Sequence, residues 1–448
     1  MQQHNALLDA LLVEAGMSHA GLAAHVNQAG RARGLALRYE HTAVARWLKG
    51  QRPRGQVPDL ICEVLARRLK RTLSLDDIGL GVPGLPAAEA HGCPLSGFVD
   101  RATALWRCDV QGRPQQLAAA AVTGTPAVIP VWEWENPPED ADVSRSGPTR
   151  VGPEHIEILR AARAHYELMY RRAGGLATRA RIVRFLGSEA APLLRGSYSD
   201  DLGRQLHRAS GSLVAVAGIC AYDSDAHGLA QRYFHQALRL AKASGDRGLG
   251  AYVIALIVNQ SLHLREFRQA VAFAEAALRS AGRHTTPALA ADLYAMQAKA
   301  YAQLGDTPAA LACIGRAEAA AERIRRGAEP AETGYVQPGL VNVQVAEALL
   351  SLGDLPAAYE QAAAAAGTPA HDRGRVHRLA MLCEIQLRQG EAERAVAAAA
   401  EMAERARGME SHRLRDRLRA VREQLLTSGC TGAEETAELI DGALRVPL

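Results

Sequence analysis

Gly305-Asp306-Thr307-Pro308-Ala309-Ala310 and Gly353-Asp354-Leu355-Pro356-Ala357-Ala358 share one pattern, and Gly390-Glu391-Ala392-Glu393-Arg394-Ala395 follows it without a gap. The glycine ends one helix, and the Asp or Glu after it caps the start of the next. The final alanine is small enough to let two helices approach closely. These turns predict a series of helical hairpins whose apolar faces are buried when neighbouring hairpins stack.

The same frame extends toward the N-terminus with the glycine replaced. Asp225 to Ala230 and Arg265 to Ala270 both fit it, with Asp225 and Arg265 in the glycine position. Hydrophobic residues make up 48% of the chain and aromatic residues only 4%, a composition that suits close-packed helices better than sheets. The expected fold class is all-α.

The length of 448 residues exceeds what one hydrophobic core usually supports, so we expect two or three folding units. Residues 1–80 form one expected domain, and residues 153–448 form a helical repeat domain. Residues 81–152 are rich in Gly and Pro and predict a linker with short ordered segments. Within this linker Phe98 to Cys108 has a helical pattern, whereas Ala127 to Trp134 is either a docking strand or extended segment, or disordered.

Positive charge is concentrated near the N-terminus. The whole chain has a formal net charge of +4, whereas Arg31 to Arg71 alone holds 11 Lys or Arg against three acidic residues, a local balance of +8. Such a segment attracts polyanions such as nucleic acid. A solvated helix face would give the same count, so the charge favours nucleic-acid binding without deciding it.

Four helices are predicted in residues 1–80. Asn5 to Ala15 carries leucines at helical spacing, and Ser18 is a suitable N-cap for a short second helix that ends near Gly30. A basic connector leads into a third helix, Tyr39 to Gly50, and Pro58 to Arg71 completes a small helical core. In the third helix the predicted core face contains Val44, Trp47 and Leu48, and the opposite face contains Thr42, Arg46 and Lys49.

This layout resembles the repressor-type (XRE-like) helix-turn-helix, whose third helix often ends in a pattern like Ala43 to Gly50. The resemblance implies that this helix enters the major groove of double-stranded DNA, where Arg and Lys donate to guanine and a Thr methyl contacts thymine. In the alternative, Arg46 and Lys49 bind phosphates, as we expect of Arg52 and Arg54. The candidate DNA-binding residues are Arg31, Arg33, Arg38, His41, Thr42, Arg46, Lys49, Arg52 and Arg54.

The connector before the third helix departs from this family. The usual turn is about four residues long, whereas Ala29 to Arg38 spans ten. The added residues are either an arm whose Arg31, Arg33 and Arg38 contact phosphates or a minor groove, or a mobile basic tether.

The body resembles tetratricopeptide repeats (TPR), though with longer and irregular periods. This resemblance implies a TPR-like α-solenoid with a concave face built mainly by the first helix of each pair. On that face we place Tyr252, Asn259, Tyr294, Gln297 and Tyr301 as a possible effector groove, since Asn with Tyr or Gln can hold a peptide backbone or a small polar ligand. The alternative is that Tyr294 and Tyr301 only pack between helices.

The order of segments along the chain resembles the helix-turn-helix/TPR regulators of actinobacteria, including those that restrain differentiation and antibiotic production. After the Ala-Arg-Trp-Leu-Lys-Gly of residues 45–50, the segments that carry the likeness are Leu193 to Tyr198, Ala221 to Asp223, Ala230 to Phe234 and Ala243 to Arg247. More distantly, the architecture is similar to peptide-sensing regulators. The resemblance implies transcriptional control and leaves the effector open among a peptide, a small molecule and a protein.

The sequence gives no support for catalysis, cofactor binding or metal binding. Gly79 to Gly84 matches the GxGxxG dinucleotide pattern, but it follows a helical core and precedes a Pro-rich linker, whereas the pattern binds a dinucleotide only between a strand and a helix. The chain has no GxxxxGK[ST], nucleophile elbow or HExxH, and its seven scattered cysteines fit neither a disulfide framework nor a zinc finger. His371, His377 and Cys383 are the nearest approach to a metal set, but intervals of six residues do not suit zinc ligands. The sequence therefore predicts a protein that is not an enzyme, with no cofactor and no metal.

The N-terminus has no basic segment followed by an apolar core, and the longest apolar runs fall short of about 18 residues. We therefore expect no membrane segment and a cytoplasmic protein, associated with the nucleoid when it is bound to DNA.

Two functions remain after these exclusions. The first is a DNA-binding regulator that forms a homodimer through its body, because two half-sites multiply the specificity of one short recognition helix. The second is an interaction scaffold, whose repeats bind a protein partner and whose N-terminal domain docks proteins or binds DNA only non-specifically. The +8 segment favours the first.

Overall fold

The computed structural model describes residues 4–51, 53, 57–69, 73, 75, 77–80, 95–112, 120–325 and 327–445. Over these residues the protein is all-α, as predicted, and the described residues form no strand beyond two isolated bridges, Arg145 with Tyr198 and Arg150 with Ser197. The chain divides into two compact units, residues 1–119 and residues 120–448.

The described helices of the first unit include the four that the sequence predicts. They are α1 (Ala6–Glu14), α2 (His19–Ala32), α3 (His41–Leu48), α4 (Val57–Leu69) and α5 (Leu95–Val110). Asn5 caps α1 by accepting a hydrogen bond from the Leu8 amide, and Ser18 caps α2 by accepting one from Gly21. Helices α1 to α4 enclose one apolar core, and α5 contains the helix predicted within the linker.

Helix α2 is longer than the sequence predicts, because Gly30 does not end it. A Cβ atom at Gly30 would lie 2.5 Å from Cδ1 of Leu37. This glycine therefore stays within α2 and leaves room for the Leu37 side chain of the connector to pack against the helix. Gly34, with a φ of +73°, takes the chain out of the helix instead. Arg31 therefore lies in the last turn of α2, and the connector to α3 is shorter than predicted.

The second unit contains fifteen described α-helices of eleven residues or more. They are α6 (Thr125–Glu135), α7 (Pro153–Ala173), α8 (Gly175–Phe185), α9 (Asp200–Asp223), α10 (His227–Ser244), α11 (Arg247–His263), α12 (Phe267–Ala281), α13 (Pro287–Leu304), α14 (Thr307–Ala321), α15 (Pro338–Leu352), α16 (Leu355–Gly367), α17 (Asp372–Arg388), α18 (Ala392–Ala406), α19 (His412–Ser428) and α20 (Ala433–Leu444). A π-helical turn, Leu186–Ala190, and a short helix, Ala191–Leu194, continue α8. From α7 onward the helices form consecutive pairs, and the first helices of successive pairs also pack on one another.

All five turns that share the sequence pattern join the two helices of a pair. The residue in the glycine position has a left-handed backbone in each of them: Asp225 (φ 62°), Arg265 (φ 62°), Gly305 (φ 79°), Gly353 (φ 83°) and Gly390 (φ 79°). The alanines that end the patterns, Ala230, Ala270, Ala310, Ala358 and Ala395, are all fully buried. The prediction of equivalent helical turns is confirmed, including the two turns that lack glycine.

The predicted strand or extended segment at Ala127 to Trp134 is wrong. These residues form α6, a helix that Pro126 starts and that also contains Pro130. Helix α6 packs on α10 and α12, and Gly250 makes room for it, since a Cβ atom there would lie 2.1 Å from Nε1 of Trp134. The segment does dock, but as a helix.

The last helices of the second unit fold back on its first helices. The buried carboxylate of Asp223 in α9 accepts hydrogen bonds from Arg373 of α17, from the Ser411 hydroxyl (2.7 Å) and from the Gly175 amide (2.7 Å). The Glu410 amide also donates to the Ala173 carbonyl (2.8 Å). The helix pairs thus close around a common interior.

Among the described helices no single one is both long and apolar enough to cross a membrane. Helices α1 and α2 meet that test only together, as a pair bent by 91°.

Two buried histidines predict that acid destabilises the second unit. Burial lowers the pKa of His207 in α9 and of His235 in α10 from 6.5 to about 4. Between these pH values the unfolded chain binds protons that the folded chain does not, so stability is lost as the pH falls through this window. Within this window, the titration of each histidine lowers the free energy of unfolding by up to about 1.4 kcal/mol for each unit by which the pH falls.

Denaturant unfolding at several pH values between about 7 and 5 measures this effect. The variant with His207→Gln and His235→Gln should show a shallower loss of stability than the parent. An equally steep loss in the variant would assign the acid sensitivity to other groups.

Candidate nucleic-acid surface and ligand cavity

Helix α3 has two faces of opposite character. Ala43, Val44, Trp47 and Leu48 are buried in the core of the first unit, and the rings of Tyr39 and Trp47 meet edge to face with centroids 5.1 Å apart. The other face consists of exposed side chains, namely His41, Thr42, Arg46 and Lys49. The prediction that α3 has one core face and one exposed face is confirmed. The exposed face carries polar and charged side chains, so it can remain in contact with solvent.

The connector from α2 reaches α3 through a paired contact. The Asn27 side chain donates to the Tyr39 carbonyl and accepts from the Tyr39 amide, both at 2.8 Å. This pairing fixes the chain immediately before α3 begins. The orientation of α3 relative to α2 therefore depends on this pair of hydrogen bonds, the Asn27 clamp, as well as on the apolar core.

The predicted basic side chains differ in their surroundings. Arg31, Arg33 and Arg38 are all exposed. Arg33 is bound to Glu63 of α4 (2.6 Å), which also binds Arg67, so part of its charge is neutralised within the unit. Among the described residues, Arg31, Arg38, Arg46 and Lys49 have no carboxylate within ion-pair distance, and Arg52 and Arg54 lie outside the described residues.

A cavity of about 290 Å³ lies inside the ring of helix pairs in the second unit. Its walls come mainly from the first helix of each pair, α7, α9, α11, α13, α15, α17 and α19. An outer pocket of about 430 Å³ shares Asn259, Lys299, Glu347, His377, Arg413 and Arg417 with it. Together they have the size of a small-molecule site.

Cations outnumber anions on the cavity wall. It carries six Arg or Lys side chains, Arg171, Lys299, Arg373, Arg378, Arg413 and Arg417, against the three acids Glu167, Asp292 and Glu347. All three acids have partners within the protein. Glu167 binds Arg171, Asp292 accepts from Tyr335 (2.6 Å) and Gln344, and Glu347 binds Lys299 (2.9 Å). Arg373 is also paired, with Asp223, and the charge that remains available to a ligand is still positive.

Among the cations of the cavity wall, Arg413 is the one most available to bind a ligand anion. Its guanidinium lies 4.2 Å from the ring centre of Tyr222, and no carboxylate of the described residues lies within ion-pair distance. Arg417, one helical turn later, reaches Glu347 only at 4.0 Å. Burial opposes ionisation of Glu347, but Lys299 and Arg417 outweigh it and lower its pKa. A carboxylate or phosphate is the chemical group that fits beside Arg413.

Only part of the predicted effector groove lies on this cavity. Tyr252 and Asn259 line it. Tyr294, Gln297 and Tyr301 do not, because they follow one stripe of α13 that faces the neighbouring helices: Tyr294 stacks with Arg316 (5.8 Å), and the Tyr301 hydroxyl meets Glu275 (3.3 Å). For Tyr294 and Tyr301 the packing alternative describes the structure.

The cavity-facing stripe of α13 is Asp292, Met296 and Lys299. It has the same helical spacing as the predicted stripe but lies on the opposite side of the helix. The sequence signal for this face was the pair of charged residues Asp292 and Lys299, which lie two helical turns apart on one side of an otherwise uncharged helix. Charged groups are rarely buried between helices without a function or a partner.

Comparison with known families covers only the first unit. A family described as the SP15 N-terminal domain matches residues 8–81, the segment from α1 through the turn after α4. No curated protein matches the chain.

Proposed function

We propose that this protein is a sequence-specific DNA-binding transcriptional regulator. In this proposal the first unit is a helix-turn-helix that binds double-stranded DNA, and the second is a TPR-like α-solenoid that binds an effector. The observation that carries the proposal is the exposed face of α3, where Thr42, Arg46 and Lys49 project from a helix whose other face is anchored in the core.

The chemistry of that face suits the major groove. An α-helix fits the groove, and an Arg side chain donates two parallel hydrogen bonds to guanine N7 and O6. Arg31, in the last turn of α2, and Arg38, on the connector, precede α3 and are free to bind the phosphate backbone, which positions the helix without reading sequence. The Asn27 clamp on Tyr39 holds this connector against α2.

The effector in this proposal is a small acidic molecule or a peptide that places a carboxylate or phosphate beside Arg413. Asn259 and Tyr252 on the same wall supply neutral hydrogen-bonding groups. The walls of the cavity come from successive helix pairs, so its width depends on how far apart these pairs lie. A ligand that binds one arrangement of the pairs more tightly than another increases the fraction of the protein in that arrangement. We further propose that the regulator acts as a homodimer, because α3 alone reads few base pairs.

The proposal is tested by selecting bound fragments of the source genome with the purified full-length protein at near-physiological salt, and sequencing them. We expect enrichment of a motif with two related half-sites, and binding to that motif should survive salt concentrations that release random fragments. Absence of any enriched sequence, together with equal salt sensitivity on all fragments, would reject the regulator and support an interaction scaffold.

A further inference from the structure

A cluster of metal-ligand side chains lies beside the outer pocket of the second unit. Asp225 in the turn after α9, His227 at the start of α10 and His263 at the end of α11 each offer one ligand atom, and these atoms all lie within 4.8 Å of one another. Asp225 Oδ1 is 2.8 Å from His227 Nε2. The rings of His227 and His263 have centroids 4.8 Å apart.

The repeat architecture brings these residues together. Asp225 and Arg265 occupy equivalent turns in successive helix pairs, and His263 lies just before the second of these turns. Stacking of the two pairs therefore places His263 against the start of α10. Tyr222 packs against both imidazoles, with ring centroids 5.6 and 5.7 Å from those of His227 and His263, and so restricts the planes in which the two rings lie.

The identity of residue 225 points to a ligand. Three of the five equivalent turns have glycine in this left-handed position, where a side chain is normally unfavourable and Asp is among the better tolerated residues. At Asp225 the chain accepts this conformation and gains a carboxylate that meets an imidazole. The carboxylate faces Nε2 of His227, so Nε2 is the imidazole atom that can share an ion with Asp225.

We infer that Asp225, His227 and His263 bind a divalent transition-metal ion, with Zn²⁺ as the best match. Two imidazoles and one carboxylate form a donor set that zinc and its neighbours in the first transition row use, and three protein ligands leave a further position open. His263 lines the outer pocket together with Arg413. The open position thus lies near the cationic mouth of the cavity, where a ligand anion can take it.

The test is titration of the chelator-treated full-length protein with Zn²⁺ in competition with a chromophoric chelator, repeated with Co²⁺ to read the ligand geometry from its visible spectrum. We expect one tight site per chain. Loss of an outer-shell partner alone lowers metal affinity by about 10–100-fold, so removal of a ligand in Asp225→Gly or His263→Ala should weaken binding at least that much.

Asp225→Gly is a suitable variant because glycine fits the left-handed backbone and leaves the turn intact. Arg265→Gly is its matched control: it also places glycine at a φ of 62°, in the equivalent turn, and replaces a side chain that is not a proposed ligand. Tight binding that persists in Arg265→Gly and is lost in Asp225→Gly and His263→Ala supports the site. No tight binding in the parent, or equal binding by all variants through other surface histidines, overturns it. Neither outcome depends on DNA binding.

Discussion

Asp223→Ala is expected to lower the free energy of unfolding of the second unit by about 3–5 kcal/mol, the range for breaking a buried ion pair. The Asp223 side chain is fully buried, and its partner Arg373 is almost so. Removing the carboxylate leaves a guanidinium inside the protein over the ring of Tyr170, and no other carboxylate of the described residues forms an ion pair with it. It also leaves the Ser411 hydroxyl and the Gly175 amide without an acceptor.

Chemical unfolding followed by circular dichroism measures this loss, with Asp372→Ala as the matched control. Asp372 is the residue before Arg373, and it binds Arg405 at an exposed position, so its removal should change stability far less. The double variant with Asp223→Ala and Arg373→Met should regain part of the loss, because no unpaired charge then remains buried. Equal stabilities of Asp223→Ala and Asp372→Ala would show that this network does not hold the ends of the unit together.

The helical turns were predictable because their causes are local. Glycine at 305, 353 and 390 and the caps formed by Asp306 and Asp354 act within a few residues, although the predicted cap at Glu391 is not formed by its side chain. Alignment of the pattern also found the turns at Asp225 and Arg265. The closure of the second unit was not predictable in this way. Asp223 and Arg373 are 150 residues apart, and neither position carries a local signal that names its partner.

The errors in the sequence interpretation also have physical causes. A glycine near the end of an apolar stripe predicts a helix end, but at Gly30 the missing side chain makes room for Leu37. The Ala127 to Trp134 segment is apolar and contains or adjoins two prolines, and its docking as a helix depends on distant residues: the space at Gly250 and the contacts of Lys242 and Arg247 with carbonyls at the end of α6. On α13 two stripes have the same spacing, so periodicity alone could not decide that Asp292 and Lys299, rather than Tyr294 and Tyr301, face the cavity.

Replacing Arg46 and Lys49 together with alanine is expected to weaken strongly the preference of the protein for its selected DNA site. Each well-placed contact to a base contributes about 1–3 kcal/mol of discrimination, so the preference over random DNA should fall by about 30-fold or more. Both side chains are exposed and have no carboxylate partner among the described residues. The fold of the first unit should therefore be unchanged, which circular dichroism checks.

The matched control removes the same charge from another face of the first unit. Arg31, in the last turn of α2, and Arg38, on the connector, lie outside the exposed face of α3; both are exposed with no carboxylate partner among the described residues, and their joint replacement with alanine also removes two cations. That control should weaken binding to selected and random fragments by similar factors and keep the preference. If both double variants lose affinity without losing preference, Arg46 and Lys49 contact phosphates only, and the bases are read elsewhere. If neither changes binding, α3 is not the recognition helix.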